Sequence, residues 1–467
     1  MPATVFERLA PTRGQVLKAL DGSVRRPFWL DDAPPDSGFE PLRGRAQASL
    51  AIVGGGFLGL WSAILAKERD PGRDVVLLEA RHIGHAASGR NGGFCEASLT
   101  HGDDNAAWRW PDEVAQLDAQ GARNLAEFET TLQQRGIDCD FERSGLLEVA
   151  VEAHQDAQLR GRAGYLDAAA VRAELASPTY LSGVWDRDGT ALLHPGKLVR
   201  GLARVAAELG VRMHEATAVD AVAEHGSAVR LRTAHGEVLA RQVVLATNAY
   251  PSLLGRYRRH TIPIYDYALM TEPLDARRMA GLGWRHRQGV ADLGNQFHYY
   301  RLTRDNRVLF GGFDAVYHFG SRLDAALEER ASTYERLAGH FLSTFPQLEG
   351  VRFTHRWAGV IDTSSRLCAF YALAMRGRVA YAAGFTGLGV GATRFAANVL
   401  LDRLDGVDSE RTRLRMTREL PMPFPPEPLR YAAVQAARWS LDRADRHGGR
   451  RNLYLRALRA LGLGFDS

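Results

Sequence analysis

The stretch SLAIVGGGFLGLWSAILAKERDPGRDVVLLEA (49–80) decides the fold. SLAIV (49–53) reads as a short buried strand, Phe57 to Arg69 has helical apolar spacing, and DVVLLEA (74–80) is a second apolar strand. Between strand and helix lies Gly54-x-Gly56-x-x-Gly59. Gly54 permits a tight turn, Gly56 lets the backbone approach a pyrophosphate, and Gly59 lets helix and strand pack closely. The helix N-terminus offers N–H groups and partial positive charge to phosphates. Glu79 ends the second strand, where a carboxylate accepts hydrogen bonds from ribose hydroxyls and disfavours a 2′-phosphate. Strand, loop, helix, strand and carboxylate follow in order within about thirty residues, as a dinucleotide site requires. The bland alternative is a βα turn in a doubly wound sheet that holds no nucleotide.

Two further segments extend the pattern. After Glu79 the chain reads ARHIGHAASGRNGGF (80–94), which brings Ser88, Arg90 and Asn91 to an extended cofactor. Arg90 has the fork to pair with a phosphate or a substrate anion; otherwise the segment is a solvated turn. AAGFTGLGVGA (382–392) again follows a strand and opens a helix, but no acidic strand end comes after it. A second nicotinamide site is therefore disfavoured. A helix N-terminus aimed at the same cofactor is preferred, where its dipole stabilises the negative charge of a reduced flavin.

The chain has 467 residues, 45% of them hydrophobic, which allows more than one domain. Its net charge is +5, and its basic residues are nearly all Arg, with Lys only at Lys18, Lys67 and Lys197. The Arg are spread along the whole chain instead of forming a stripe between aromatics, which argues against nucleic acid as a partner. Cys95, Cys139 and Cys368 form no C-x-x-C pair, so neither a disulfide framework nor a metal site is expected. No apolar run reaches bilayer-spanning length, and a cytoplasmic setting is the default expectation.

Nucleotide-binding features recur at 49–93, near 219–248 and at 378–404, separated by β-rich text. The expected fold is therefore α/β. A Rossmann-like domain is assembled from 47–140, 193–255 and 365–408. A substrate domain with a mixed, largely antiparallel sheet takes 141–192 and 256–364. Residues 1–46 read as a wrapping extension, and 409–467 as an Arg-rich helical one.

Specific wording joins these segments: PFWLDD (27–32), AIVGGGFLGLWSA (51–63), VVLLEARHIG (75–84), ASGRNGG (87–93), LLHPGKLVRGLA (192–203), VVLATNAY (243–250), YDYALMTEPL (265–274), YRLTRDNRVLFGG (300–312), RWAGVIDTS (356–364) and GFTGLGVG (384–391). Together they resemble the D-amino-acid-oxidase-like family of FAD-dependent oxidoreductases, closest to its gamma-glutamylputrescine oxidase-like branch. The resemblance implies the two-domain fold of glycine oxidase and sarcosine oxidase, with FAD extended through one domain and the other sheet roofing its ring. It places FAD contacts on Gly54, Gly56, Phe57, Leu58, Glu79, Ala80, Arg81, Ser88, Arg90, Asn91, Gly92, Val219, Thr386, Gly387, Leu388, Gly389 and Val390. Some relatives attach the flavin to a Cys before the C-terminal strand, where this chain has Arg356–Trp357–Ala358–Gly359; others use a His to which His85 is only similar. Non-covalent FAD is expected. Sarcosine oxidase-like relatives carry a Lys where this chain has Gly391 and a His where it has Leu388, which argues against a simple N-methyl amino acid as substrate.

The activity implied is oxidation of the C–N bond of an amine or amino acid by hydride transfer to flavin N5. It yields an imine, then an aldehyde or keto acid, with oxygen as acceptor and hydrogen peroxide as by-product. The flavin supplies the difficult step and the protein supplies orientation. Tyr265, Tyr267, His298, Tyr300 and Arg301 are the substrate-pocket candidates, on strands expected to face the ring, with Trp357 as a wall. Strand packing for the Tyr and His residues, and an Arg301–Asp305 ion pair, are the structural alternatives. Two rival readings are a dehydrogenase that passes electrons to a quinone or protein acceptor, and a flavin-binding module without turnover. For the dehydrogenase, the Arg-rich tail at 411–451 offers peripheral membrane or partner contact, or is simply a solvated helix.

Overall fold

The computed structural model describes residues 2–34 and 38–463. Residue 1 and residues 35–37 of the expected N-terminal extension, and residues 464–467 of the tail, lie outside these. In chain order the strands are β1 (Gly44–Val53), β2 (Val75–Leu78), β3 (Phe94–Glu96), β4 (Leu146–Ala150), β5 (Tyr165–Leu166), β6 (Ser182–Asp186), β7 (Thr190–Leu192), β8 (Arg212–His214) and β9 (Val219–His225). They continue as β10 (Ala228–Thr233), β11 (Gly236–Leu245), β12 (Thr261–Thr271), β13 (Gly289–Asp292), β14 (His298–Leu302), β15 (Val308–Gly312), β16 (Phe353–Ser364), β17 (Phe370–Ala374) and β18 (Val379–Ala383).

The first sheet runs β17-β18-β11-β1-β2-β8, parallel except at the β17 edge. Alternation along its central strands divides two cores. Leu50, Ile52, Val75 and Leu77 face the helices Phe57–Arg69, Pro195–Glu208 and Gly389–Leu404. Ala51, Val53, Val76 and Leu78 face the layer formed by β9, β10 and β11, with Val229, Leu231 and Val238. A strand covered on both faces needs apolar residues throughout, which is why SLAIV and VVLL are continuous runs. LHPGKLVRGLARVAAELGV (193–211) forms the helix Pro195–Glu208. Proline opens it, and the His194 ring accepts the Lys197 N–H as an N-cap at 3.1 Å.

The second sheet runs β16-β12-β15-β14-β13-β4-β6-β5, antiparallel except between β13 and β4. One face is backed by the helix Ala331–Thr344 and by the N-terminal segment through Val5, Phe6, Val16 and Leu20. The other face turns toward the first sheet. Residues 153–176 include two short helices, Ala153–Leu159 and Ala168–Glu174. The protein is thus α/β, a Rossmann-like layer joined to a mixed, largely antiparallel sheet. No helix among the described residues is long and apolar enough to cross a membrane.

Candidate active site

A cavity of about 650 Å³ runs from the glycine loop, between the two sheets, to the C-terminal helix Leu429–Arg446. All seventeen residues assigned to the cofactor by resemblance line it. Gly54 has a φ of +114°, a conformation that L side chains rarely adopt, and a Cβ there would stand 2.4 Å from the Ala246 carbonyl oxygen. A Cβ on Gly59 would stand 1.9 Å from the Gly54 carbonyl oxygen. The Glu79 carboxylate accepts from the Gly55 N–H at 2.7 Å and the Arg81 N–H at 2.8 Å, so it is held at the loop's rim. Burial pushes its carboxyl above the ordinary range.

The ASGRNGG segment packs as a brace. Ser88 Oγ accepts the Phe57 N–H at 2.9 Å. Asn91 donates to the Ala87 and Ser88 carbonyls and accepts the Gly93 N–H, which ties its own turn. Arg90 is engaged by Glu328 at 2.6 Å and by the His85 and Ala358 carbonyls. Its expected phosphate or substrate partner is thus replaced by contacts that lock the two domains together. Trp29 donates to the Asn91 carbonyl at 2.8 Å, so the N-terminal extension helps hold this turn.

The second glycine turn closes the cavity from the opposite side. Thr386 and Gly387 have φ of +50° and +94°, and the His101 ring meets the Thr386 carbonyl at 2.9 Å. A Cβ on Gly387 would meet His101 Nε2 at 3.7 Å and one on Gly389 would meet Phe385 Cβ at 3.8 Å, so without side chains the N-terminus of Gly389–Leu404 offers bare backbone to the cavity. Asp362 accepts the Gly384 N–H at 2.5 Å, and burial pushes its carboxyl up to about 7. Glycine loop, ribose carboxylate and second helix N-terminus therefore fit an extended dinucleotide along one continuous cavity.

The substrate-pocket candidates need correction. None of Tyr265, Tyr267, His298, Tyr300, Arg301 and Trp357 lines the cavity. For Tyr265, Tyr267, His298 and Tyr300 the physical reason is strand parity, because one-residue steps reverse the face, whereas Arg301 and Trp357 share the face of Tyr299 and Gly359 but lie under Trp29 of the N-terminal segment. Tyr265 and Tyr267 point into the core behind the sheet, where Tyr267 donates to the Leu327 carbonyl at 2.8 Å and Tyr265 accepts the Asp324 N–H at 3.0 Å. His298 is fully buried between Asp292 at 2.5 Å and His340 at 2.9 Å. Tyr300 pairs with the Tyr180 hydroxyl at 2.7 Å. Arg301 donates to the Leu193, Gly93 and Leu302 carbonyls, and burial lowers its pKa to about 10. The alternative Arg301–Asp305 pair is not formed either; Asp305 pairs with Arg307 at 2.8 Å. Trp357 fills a small core with Phe28 and Trp29 and donates to the Arg90 carbonyl.

The cavity receives the alternate residues instead: Asp266 from β12, Phe297 and Tyr299 at β14, and Phe313 after β15. Tyr299 donates to Asp266 at 2.5 Å, and burial pushes the Asp266 carboxyl up to about 6. Glu96 of β3 also lines it. So do Val434, Ala437, Arg438 and Leu441 of the C-terminal helix, with Arg438 held by Asp314 at 2.9 Å. That helix was expected as a solvated or docking element. The Arg-rich composition marks a helix in the sequence but does not reveal the cavity surface it covers. Several of its neighbouring arginines pair within the chain, including Arg430 with Glu427 and Arg446 with Glu7 and Asp442. Cys95, Cys139 and Cys368 are buried free thiols.

Comparison with known proteins agrees with this architecture. The family model of FAD dependent oxidoreductases (DAO) matches residues 49–403. The chain is 34% identical over 392 residues to gamma-glutamylputrescine oxidoreductase of Escherichia coli K12, covering 80% of this chain and 87% of that protein. It is 28% identical over 408 residues to a probable oxidoreductase, OrdL, of Haemophilus influenzae, covering 83% and 89%. Glycine oxidase from Geobacillus kaustophilus shares the fold at a TM-score of 0.65 and 20% identity, covering 80% of this chain and 100% of that one. With the paired glycine turns and Glu79 lining one cavity, the chain belongs to the DAO family of FAD-dependent oxidoreductases.

Proposed function

We propose that this enzyme oxidises the C–N bond of an amine or amino acid, with FAD bound non-covalently and oxygen as acceptor, releasing an imine and hydrogen peroxide. The observation that carries the reading is the joining of the dinucleotide cradle to a substrate-sized space in one cavity, in a chain 34% identical to a gamma-glutamylputrescine oxidoreductase. When bound, FAD supplies the acceptor for the hydride and its two electrons.

The chain's own residues then have separable roles. The Phe57–Arg69 helix N-terminus and the glycine loop would hold the pyrophosphate, and Glu79 would take the ribose hydroxyls. The N-terminus of Gly389–Leu404, braced by His101 through the Thr386 carbonyl, would stabilise the negative charge of the reduced cofactor. Phe297, Tyr299 and Phe313 line the cavity, where they would pack apolar surface around the reacting carbon and exclude water. The three thiols are buried in the core and absent from the cavity wall, which supports non-covalent FAD.

A second reading, a dehydrogenase with a quinone or protein acceptor, is favoured by one observation: no lysine lines the cavity to assist reaction with oxygen. One experiment separates the two. The FAD-loaded protein is mixed with amines, N-methyl amines and amino acids, and flavin bleaching is followed without oxygen and peroxide with it. Bleaching followed by rapid peroxide release is expected. Turnover only with an artificial acceptor would replace the oxidase reading, and a flavin that no amine bleaches would overturn both.

A further inference from the structure

Glu96 is the cavity carboxylate left without a partner. It ends β3, where Phe94 and Glu96 line the cavity and Cys95, between them, is fully buried in the core. The other carboxylates of the wall are occupied. Glu79 is held by the Gly55 and Arg81 N–H groups, Asp266 by the Tyr299 hydroxyl and Asp362 by the Gly384 N–H. Among the described residues, no hydrogen bond or ion pair reaches the Glu96 side chain, although nearby Glu148 and Asp186 add negative charge. Burial and these neighbours push its carboxyl up to about 7.

No cation is built in to meet it. Arg90 is held by Glu328 and Arg438 by Asp314. Position 391, where sarcosine oxidase-like relatives carry a lysine, cannot accept a side chain without a shift of backbone. A Cβ there would stand 2.5 Å from the Glu96 carbonyl oxygen and 3.5 Å from Cys95 Sγ. A sequestered carboxylate lacking a counter-charge is costly, and the cost is relieved by an arriving cation.

We propose that Glu96 is the anchor for the substrate's ammonium group, and that the cavity accordingly selects alkylamines lacking a carboxylate on the carbon that loses hydride. This rests on the amine-oxidation reading and narrows it. A carboxylate on that carbon would be brought within about 4–6 Å of Glu96, where like charges oppose each other, and among the described residues no cation is among the charges that act on Glu96.

The test uses FAD-loaded wild type, E96Q, E96D and E96K. Butylamine, pentylamine and hexylamine are compared with the α-amino acids that carry an added carboxylate on the same carbon. Binding is read separately with trimethylpentylammonium, whose nitrogen has no lone pair to form an imine and which therefore is not oxidised, through its perturbation of the flavin spectrum. Wild type is expected to favour the amines. E96Q should raise KM for amines and Kd for the quaternary cation by about ten- to a hundredfold, the loss of one charged contact, with a smaller change in kcat. E96D should recover part of the binding, and E96K should shift preference toward the amino acids. FAD affinity should be unchanged in E96Q. Equal cation binding by wild type and E96Q, or higher kcat/KM of wild type for the amino acids, overturns the assignment while leaving amine oxidation intact. Absence of both turnover and binding for every amine defeats the parent reading as well.

Discussion

Gly59→Ala probes the approach of helix to strand on which the cradle depends. The new Cβ would lie 1.9 Å from the Gly54 carbonyl oxygen and 3.3 Å from Ile52 Cγ2. Carbon and oxygen sit in comfortable contact at about 3.3 Å, so helix and turn must part by about 1.4 Å. The helix Phe57–Arg69 has little room to yield, since Leu60, Trp61, Ala63 and Ile64 are fully buried. Overpacking of this kind costs about 1–3 kcal/mol, and a clash with backbone belongs at the upper end. At roughly 2–4 °C per kcal/mol for a large domain, the melting temperature should fall by about 2–12 °C. Displacing the turn also pulls the Phe57 N–H from Ser88 Oγ, a 2.9 Å bond that sets the helix start beside the phosphate site. FAD affinity should drop about ten- to a hundredfold. Apo-protein titrated with FAD by fluorescence quenching, and melted with and without FAD, measures both. A variant that binds FAD within roughly twofold of wild type and melts with it would refute the role assigned to this close approach.

Three other outcomes follow from the geometry. Arg301→Met strips donors from the Leu193, Gly93 and Leu302 carbonyls and should cost about 2–3 kcal/mol of stability. KM per FAD-loaded site should stay unchanged, whereas a raised KM at full stability would mean that Arg301 reaches the substrate after all. Burial, with His298 and Arg336 nearby, holds His340 well below the usual imidazole range, so the folded state keeps it neutral. Its contribution to stability is present above the unfolded pKa of about 6.5 and is lost as pH falls below it. Melting curves from about pH 8 to 5 should therefore fall less steeply for His340→Gln than for wild type; parallel curves would count against the buried-histidine account. Val434→Trp should raise KM for long amines more than for short ones at constant FAD affinity, because Val434 lines the wall from the C-terminal helix. Equal effects on all chain lengths would argue against that placement.

The nucleotide half was legible because its chemistry is local. Turn, helix start and ribose carboxylate lie within one βαβ unit, and each needs a particular residue type at a particular step. The substrate half was misread by one residue. YDY (265–267) and HYY (298–300) place large rings on both sides of a polar or aromatic neighbour. Alternation says that the residues divide between two faces but does not say which face meets a ligand. Rings were assigned to the cavity, whereas the helix Ala331–Thr344 claims Tyr265, Tyr267 and Tyr300, leaving Asp266 and Tyr299 inside. A signal was available in Asp266, since a carboxylate between two core tyrosines has to face something polar. The same applies to Glu96 beside the buried Cys95. The role of Val434 to Leu441 was out of reach, because periodicity identifies an apolar stripe without naming the surface it covers.

The ion pair between Glu7 and Arg446 joins segments from opposite ends of the chain. Its consequence concerns synthesis. The glycine loop leaves the ribosome early, but β18 and the helix Gly389–Leu404, which complete the cradle, are made much later, and the wall bearing Val434 later still. Domains ordinarily fold as units in the order of translation; here neither sheet is contiguous, so the nascent chain must keep half-built sheets waiting. The helix Leu429–Arg446, made after both sheets, lines the cavity and clasps Glu7, so the cradle stays open on that side until this helix docks.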